Sequence, residues 1–452
     1  MKKIQSVLCF LLVLTLLSGC GEVIENDNTN TTTAEKITVE TSSKEETSTE
    51  KASETTSEKS EETETQTTTE KQETTSEITE EKETEKAIEK TRRASSVQAY
   101  IDSMSLEEKV GQLFVVFPEA LSGTDGNAGL NDSSSNNAVT SATQSVKNAV
   151  KKYHIGGVVM FAKNIKTPNQ ITEFNKNLQE ASDIPLFIAV DEEGGKVARL
   201  ARNSNFSLTK YSSAAAVGAG GSTDKAYGMG RTIGSYLKKY GFNMDFAPVA
   251  DVNSNPNNPV IGDRSFSSDP AMAAKLSGAC ARGLKSQGII PTFKHFPGHG
   301  DTAEDSHKSL AVNNHSMDRL MNDDWLPYIN NSMDGCAVMV GHIALPNVTG
   351  SMKSAAIDKE VVTGILREKL GFDGLVVTDS MKMQGVSDYY DTGTASIMAI
   401  NAGCDIVLMP QNFVKSYNAV LAAVKDGRIS EKRLNESLVR IIGMKFDYGI
   451  IK

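Results

Sequence analysis

The chain has 452 residues, 57 acidic and 47 basic side chains, five cysteines and a formal net charge of −10. This length accommodates one large α/β domain or two smaller ones. Five cysteines in such a length exclude a disulfide-rich scaffold. The acidic balance argues against a nucleic-acid partner, because phosphate contacts require clustered basic side chains.

Residues 31–90 hold nearly all of this charge. They contain 18 Glu and 8 Lys, a net charge of −10, and most of the remaining residues are Thr and Ser. A segment of this composition buries too little apolar surface to offset the entropy lost on ordering. We therefore expect residues 20–95 to form a disordered tether. Residues 91–452 carry a net charge of +1, so the folded part is nearly neutral.

The N-terminus has the pattern of a secretory signal. Two lysines precede an apolar run over residues 4–17, which leads into Leu-Ser-Gly-Cys20. A basic start, a short apolar segment and small residues near its end are typical of a signal peptide, here residues 1–19. The last four residues resemble a bacterial lipobox, whose cleavage leaves Cys20 as a lipidated first residue. We expect a lipid anchor on Cys20 at the extracytoplasmic face of the cell membrane. An ordinary cleaved signal or an uncleaved anchor is the alternative.

From residue 96 onward, short apolar runs alternate with amphipathic helical patterns. Eight runs predict strands, namely Leu113–Phe117, Gly157–Phe161, Leu186–Val190, Asn243–Val249, Ile289–Phe293, Ala337–Val340, Leu375–Val377 and Asp405–Met409. Capping residues mark helix starts at Ser105, Thr167, Asp269 and Ser430. The alternation predicts an α/β fold, a (β/α)8 TIM-type barrel over residues 96–452. A two-lobed solute-binding protein is the structural alternative.

Polar side chains follow five of the predicted strands, at the carboxyl ends where a barrel places its active site. These side chains are Asp191, Asp251, Lys294, His295, His342 and Asp379. An isolated Asp after a strand is usually a helix cap or a turn residue. Five such strand ends in one chain favour a functional site.

The densest motif is KHFPGHG at residues 294–300, followed by Asp-Ser-His at 305–307. Zinc is the first ligand to consider, because several candidate ligands fall in or near this segment: His295, His299, His307, His342, Asp301 and Asp305. Lys294 would oppose a cation, however, and no HExxH or CxxC spacing occurs. We therefore expect neither a metal nor a cofactor.

The stretch from Gly300 to Trp325 lacks helical or strand periodicity until about Ser316, which predicts a long functional loop. On this loop, Asp305 can orient His307 and favour its protonated form. Histidine gives and takes a proton near neutral pH. The Asp–His pair is therefore suited to general acid–base catalysis.

Together these motifs resemble glycoside hydrolase family 3, in its β-N-acetylglucosaminidase branch. The resemblance is carried by KHFPGHG with the later DSH, by DEEGG with Arg199, by IGDRSF and by LVVTDS, and it extends over roughly residues 100–450. It implies that Asp379 is the nucleophile and that His307, oriented by Asp305, is the acid/base. It further implies sugar-binding roles for Asp191, Arg199, Arg264, Lys294 and His295.

The implied function is a retaining exo-β-N-acetylglucosaminidase that hydrolyses terminal N-acetylglucosamine from peptidoglycan-derived saccharides. The reaction passes through an oxocarbenium-like state, which a carboxylate on one face of the sugar can stabilise or trap covalently. Glu192, Glu193 and Asp251 compete with Asp379 for this role. The alternative functions are a β-glucosidase or phosphorylase of the same family, or a non-catalytic amino-sugar-binding lipoprotein.

Overall fold

A computed structural model describes residues 88–122 and 138–452. The expected signal peptide, the lipidation site Cys20 and the tether up to residue 87 lie outside the described residues. The first described element is a helix over residues 88–102. Residues 88–95, expected in the tether, are therefore helical. This helix buries Val97 and Ile101 in the core, and tertiary packing of this kind stabilises a helix whose own sequence is polar.

Eight parallel strands among the described residues form one sheet. In chain order they are β1 Phe114–Val116, β2 Gly157–Met160, β3 Phe187–Val190, β4 Met244–Asp245, β5 Ile290–Phe296, β6 Ala337–Val340, β7 Leu375–Thr378 and β8 Val407–Leu408. They pair in the order β7-β6-β5-β4-β3-β2-β1-β8. A further parallel bridge between Val377 and Ile406 joins β7 to the segment before β8. The sheet thus closes into the predicted (β/α)8 barrel, which excludes the two-lobed alternative for this part of the chain.

Helices connect the strands and pack around the sheet. After the first helix, the helices are Leu106–Gly111, Gln144–Tyr153, Pro168–Ala181, Ala214–Gly218, Thr223–Lys239, Pro270–Lys285, Met317–Asn322, Leu326–Ile329, Pro346–Thr349, the π-helical Glu360–Lys369, Gln384–Ser387, Thr392–Ala402, Phe413–Lys425 and Glu431–Asp447. Short 3-10 turns cover Pro118–Leu121, Ala162–Asn164, Gly262–Arg264 and Ala355–Ile357. No helix in the described ranges is long and apolar enough to span a membrane.

The helix starts follow from local chemistry. Ser105, Thr167, Asp269 and Ser430 each accept a hydrogen bond from the amide three residues later, which confirms the four predicted caps. Such a bond satisfies one of the backbone donors that a helix leaves unpaired at its start.

The barrel core is apolar on both faces of the sheet, as expected for parallel strands covered by helices. Trp325, the single tryptophan of the chain, is fully buried against the end of β5. Its ring stacks on Phe296 with 5.9 Å between centroids, and its indole N–H donates to the carbonyl oxygen of Pro297 at 2.9 Å. Trp325 therefore anchors the KHFPGHG segment to the helical layer.

Candidate active site

A cavity of about 340 Å³ lies where the barrel strands end at their carboxyl termini. Seven of the predicted site residues line it: Asp191, Arg199, Arg264, Lys294, His295, His307 and Asp379. The eighth, Asp305, contacts His307 on the loop beside the cavity. The structure thus brings together residues from β3, β5, β7 and the connecting loops.

Asp191 and Arg199 meet because a tight hairpin follows β3. Its arms are Glu192–Gly194 and Val197–Ala198. Gly194, which ends the first arm, and Gly195, which follows it, have φ values of +82° and +58°, which favour glycine. The hairpin returns the chain so that Arg199 Nη2 donates to Asp191 Oδ2 at 3.3 Å.

Alternating charges connect this hairpin to β5. Lys294 Nζ donates to Asp191 Oδ1 at 2.8 Å and lies 2.6 Å from Glu193 Oε1. Arg264 donates to both oxygens of Glu193, at 2.8 and 2.7 Å. Burial opposes ionisation of Glu193, but the charges of Arg264 and Lys294 lower its pKa to about 2. Burial likewise opposes ionisation of Asp191, yet Lys294 and Arg199 hold its pKa far below the usual range. Both carboxylates are therefore ionised at neutral pH.

Lys294 and His295 are consecutive residues on β5, and both line the cavity. Regular strand alternation would send them to opposite faces. The register against β6 shifts between Phe293, which pairs with Val338, and Phe296, which pairs with Val340. Three residues along β5 thus pair with the length of two residues along β6. This irregularity is a β-bulge, and it redirects the β5 side chains next to the site.

The remaining competing carboxylates have other partners. Asp251 accepts the backbone N–H of His295 at 3.1 Å and that of His299 at 2.7 Å, and it lies 2.7 Å from His295 Nδ1. Burial opposes its ionisation, but His295 and His299 lower its pKa to about 2. Glu192 accepts from the amides of Leu200 and Ala201 and from the hydroxyl of Tyr236. Asp251 therefore orients His295, and Glu192 holds the hairpin.

Asp379 follows β7 and is fixed by its backbone. Its N–H donates to the carbonyl oxygen of Val340 at 2.8 Å, and its Oδ1 accepts the N–H of Ser380 at 2.7 Å. His342 Nε2 lies 2.9 Å from the Ser380 carbonyl oxygen, which can only accept, so Nε2 carries a proton. Burial opposes ionisation of Asp379, but the neighbouring His295 and His342 and the hydrogen bond from the Ser380 amide together lower the pKa of this carboxyl.

Asp305 and His307 form the predicted pair on the loop. His307 Nδ1 lies 2.8 Å from Asp305 Oδ1, which also accepts the His307 backbone N–H at 3.0 Å. Because a carboxylate accepts at Nδ1, the Nε2 atom of His307 is the one left for chemistry. The His307 side chain is 63% exposed, so a molecule that enters the cavity can reach it.

Ser306, between these two residues, attaches the loop to the barrel. It is buried, and its Oγ lies 2.8 Å from His299 Nε2. His299 Nδ1 faces Thr302 Oγ1 at 2.5 Å, and that hydroxyl donates to the His299 carbonyl oxygen. Nδ1 must therefore carry the proton, and Nε2 accepts from Ser306. Burial lowers the pKa of His299 and favours this neutral form.

The sequence did not reveal that Glu193 forms ion pairs, that Asp251 orients His295, or that His299 accepts a hydrogen bond from Ser306. The adjacency of Glu193 to Asp191 in DEEGG was the available signal for the first. Within residues 88–122 and 138–452, no group of three or more His, Cys, Asp or Glu side chains could hold a metal ion.

Known proteins share this fold and sequence. Beta-hexosaminidase A of Pseudoalteromonas piscicida is 36% identical over 335 residues, which cover 68% of this chain and 56% of that protein. Beta-hexosaminidase LpqI of Mycobacterium tuberculosis is 35% identical over 323 residues, 66% of this chain and 77% of that protein. A solved glycoside hydrolase family 3 beta-N-acetylglucosaminidase from Paenibacillus superposes with a TM-score of 0.70 at 34% identity, covering 77% of this chain and 63% of that one.

The chain thus spans a little over half the length of the first relative. Residues 105–444 match the model of the glycosyl hydrolase family 3 N-terminal domain, which is most of the chain and nearly all of the barrel. This chain therefore belongs to glycosyl hydrolase family 3.

Proposed function

We propose that this protein is a retaining exo-β-N-acetylglucosaminidase that removes terminal N-acetylglucosamine from peptidoglycan-derived saccharides. The observation that carries the proposal is the shared cavity of Asp379 and His307, lined by an ion network suited to sugar hydroxyls. The names of the relatives, beta-hexosaminidases and a beta-N-acetylglucosaminidase, support the choice of substrate.

Asp379 is the proposed nucleophile. Its lowered pKa keeps it ionised, and Ser380 and His342 fix the turn that carries it. One carboxylate oxygen attacks the anomeric carbon as the bond to the leaving oxygen breaks, which gives a glycosyl–aspartate ester. Water then attacks the same carbon and releases Asp379, so the product keeps the β configuration.

His307 is the proposed acid/base. In the first step its Nε2–H gives a proton to the leaving oxygen, and in the second step the neutral Nε2 takes a proton from water. Asp305 accepts at Nδ1 throughout and fixes the orientation of the ring. Burial opposes ionisation of Asp305, but the backbone and side chain of His307 lower its pKa, so the carboxylate charge persists.

The sugar is held by Asp191, Arg199, Arg264, Lys294 and His295 in this proposal. Their mutual ion pairs fix the side chains before substrate arrives, so little ordering is required on binding. Asp191 and Glu193 accept from hydroxyl groups, while Lys294 and Arg264 donate to them.

Product analysis on a defined wall disaccharide, N-acetylglucosaminyl-β-1,4-N-acetylmuramic acid, tests the proposal. We expect β-N-acetylglucosamine as the first product by NMR, with the same rate in the presence or absence of phosphate. N-acetylglucosamine 1-phosphate would indicate a phosphorylase, and a higher rate on the matching glucoside would indicate a glucosidase. Binding of the disaccharide without any cleavage would overturn the enzymatic proposal.

We also propose that Cys20 is lipidated and attaches the enzyme to the extracytoplasmic face of the cell membrane. The lipobox-like Leu-Ser-Gly-Cys20 and the acidic segment after it support this placement. In cells fed a labelled fatty acid, the full chain should carry label and sediment with membranes. A Cys20→Ala chain should lose the label, and unchanged labelling would contradict the assignment.

A further inference from the structure

A partly buried charge cluster lies at the base of the loop that carries Asp305 and His307. Its centre is His315, whose side chain is 12% exposed. His315 lies on the far side of this loop from Asp301, so the contact between them joins the two ends of the loop. The cluster does not line the cavity, and the reaction steps above do not use it.

Both ring nitrogens of His315 face carboxylates. Nε2 lies 2.7 Å from Asp301 Oδ2, and Nδ1 lies 3.3 Å from Asp324 Oδ2. A ring that donates through both nitrogens is an imidazolium. The hydrogen bond to Asp324 and the charge of Asp301 raise the pKa of His315, which is consistent with that form.

The two carboxylates are themselves fixed to the barrel. Asp301 Oδ1 accepts from the hydroxyl of Ser254, in the connection after β4, at 3.0 Å. Asp324 is buried directly against Gly298 of the KHFPGHG segment, because a Cβ built on that glycine would lie 2.8 Å from Asp324 Oδ1. His315 thus links the start of the loop, its end and the segment that carries Lys294 and His295.

Between these ends, the loop has further attachments to the barrel. Thr302 contacts His299 and accepts from Asn258, Ser306 bonds to His299, and residues 311–313 bond to Ile343–Ala344. The side chains of His307 and Lys308 are nevertheless 63% and 80% exposed. The contacts of His315 therefore act together with these attachments in setting the position of the Asp305–His307 pair relative to Asp379.

We propose that His315 is a positioning residue that closes the base of this loop through Asp301 and Asp324 and so sets the distance between His307 and the scissile bond. The inference about catalysis rests on the proposed acid/base role of His307. The closure of the loop itself does not depend on that role.

Limited trypsinolysis of the full chain tests the closure without any activity measurement. Lys308 is the only Lys or Arg between Asp301 and His315. In His315→Gln and in Asp301→Asn, cleavage after Lys308 should be about tenfold faster, because a charge-assisted bond that closes the loop is lost. The double variant should be cut no faster than His315→Gln alone, since the contact with Asp301 is already lost in that variant.

A control variant tests whether a histidine substitution away from the loop changes the cleavage. His154 caps the helix Gln144–Tyr153 in a left-handed conformation with φ of 48°, which asparagine also adopts. His154→Asn should leave the Lys308 site at the wild-type rate. Wild-type cleavage rates in both His315→Gln and Asp301→Asn would overturn the proposal, whether or not the protein is a glycosidase.

Leaving-group dependence tests the catalytic consequence. In His315→Gln, kcat/KM should fall about tenfold on an N-acetylglucosaminide with an alkyl leaving group, which requires protonation, and by less than about twofold on a 2,4-dinitrophenyl glycoside. Equal losses on both substrates would mean that His315 stabilises the fold without positioning His307, and would overturn the proposal. A wild-type enzyme inactive on both would instead contradict the proposed function, while the trypsin result would still decide the closure.

Discussion

The two ends of the barrel both bury charged side chains, but they use them differently. At the carboxyl end, Asp191, Glu193 and Lys294 bind one another and also line a cavity. At the amino end, Asp405 is fully buried and accepts from the amide of Val376, the hydroxyl of Ser437 and three arginines, Arg367, Arg433 and Arg440. Asp405 does not line the cavity.

The comparison teaches that buried charge alone does not mark an active site. Both clusters consist of ion pairs. Burial opposes ionisation of Asp191 and of Asp405, but their cationic neighbours lower the pKa of both carboxyl groups. What distinguishes the carboxyl end is that its charged atoms also face a space that a sugar ring can enter. Matched Asp→Asn substitutions should therefore mainly reduce activity at the carboxyl end and mainly reduce stability at the amino end.

The largest difference should appear in turnover. Asp379→Asn keeps the side-chain size but removes the ionised carboxylate, so we expect no measurable release from a chromogenic β-N-acetylglucosaminide. Asp405→Asn, assayed per folded molecule, should retain the wild-type kcat. Near-normal turnover in Asp379→Asn would contradict its assignment as nucleophile.

The next effect should appear on the loop above the carboxyl end. His307→Ala should lower kcat/KM by about 10²- to 10⁴-fold on substrates with poor leaving groups, because these depend on protonation. Activated aryl glycosides should be affected much less. Lys308→Ala is the matched control on the same loop and should behave as wild type, whereas equal losses on both substrate classes in His307→Ala would argue against an acid role.

In stability, unlike in turnover, the substitution at the amino end should have the larger effect. Asp405→Asn leaves three arginines at the amino end without their buried counter-charge, and removal of one partner of a buried ion pair typically costs about 3–5 kcal/mol. Urea unfolding followed by circular dichroism should show this loss, with Asp379→Asn close to wild type. A change below about 1 kcal/mol in Asp405→Asn would mean that its charge is not what holds this end together.

A smaller effect should be the pH dependence of stability that a buried lysine produces at the amino end. Lys445 is fully buried, and Nζ donates to Gln112 Oε1 at 2.6 Å. Burial lowers the pKa of Lys445 to about 7 in the folded protein. At pH values between this pKa and the higher pKa of the unfolded chain, the unfolded chain therefore binds more protons than the folded one. The free energy of unfolding should therefore rise with pH in this window, by at most about 1.4 kcal/mol per unit.

Lys445→Met serves as the comparison for this measurement, because methionine fills a similar volume and does not titrate. The free energy of unfolding of wild type relative to Lys445→Met should increase as the pH is raised from 7 to 10. A constant difference across this range would show that Lys445 keeps its proton in the folded state. The ring of Phe187, whose centroid lies 4.9 Å from Nζ, favours the charged form and so acts against the effect of burial on the pKa of Lys445.

Much of the fold could be predicted from the sequence because local patterns encode it. All eight strands coincide with apolar runs that are buried on both faces, by helices outside the barrel and by other strand side chains inside it, and four capping residues fix where helices begin. The positions of Asp191, Lys294 and Asp379 were predictable for the same reason, since each directly follows or ends such a run.

The pairings within the site could not be predicted in the same way. Whether Asp251 faces a sugar or the backbone of His299 depends on the register of β4 against β5, and Glu193 meets Arg264 across 71 residues of chain. The bulge on β5 overrides the alternation that would separate Lys294 from His295. Residues 88–95 were expected in the tether because their polar sequence does not reveal that the helix they begin packs against the barrel.

The burial of Trp325 has a practical consequence, because this is the chain's single tryptophan and all indole emission arises from one place. Its ring rests on Phe296, two residues after Lys294, and its chain neighbour Asp324 holds His315. Fluorescence excited at the indole band therefore reads out the packing beneath the loop that carries His307 without a label. A red shift on loop opening, or a change in quenching as a ligand enters the cavity, can be followed in the unmodified protein.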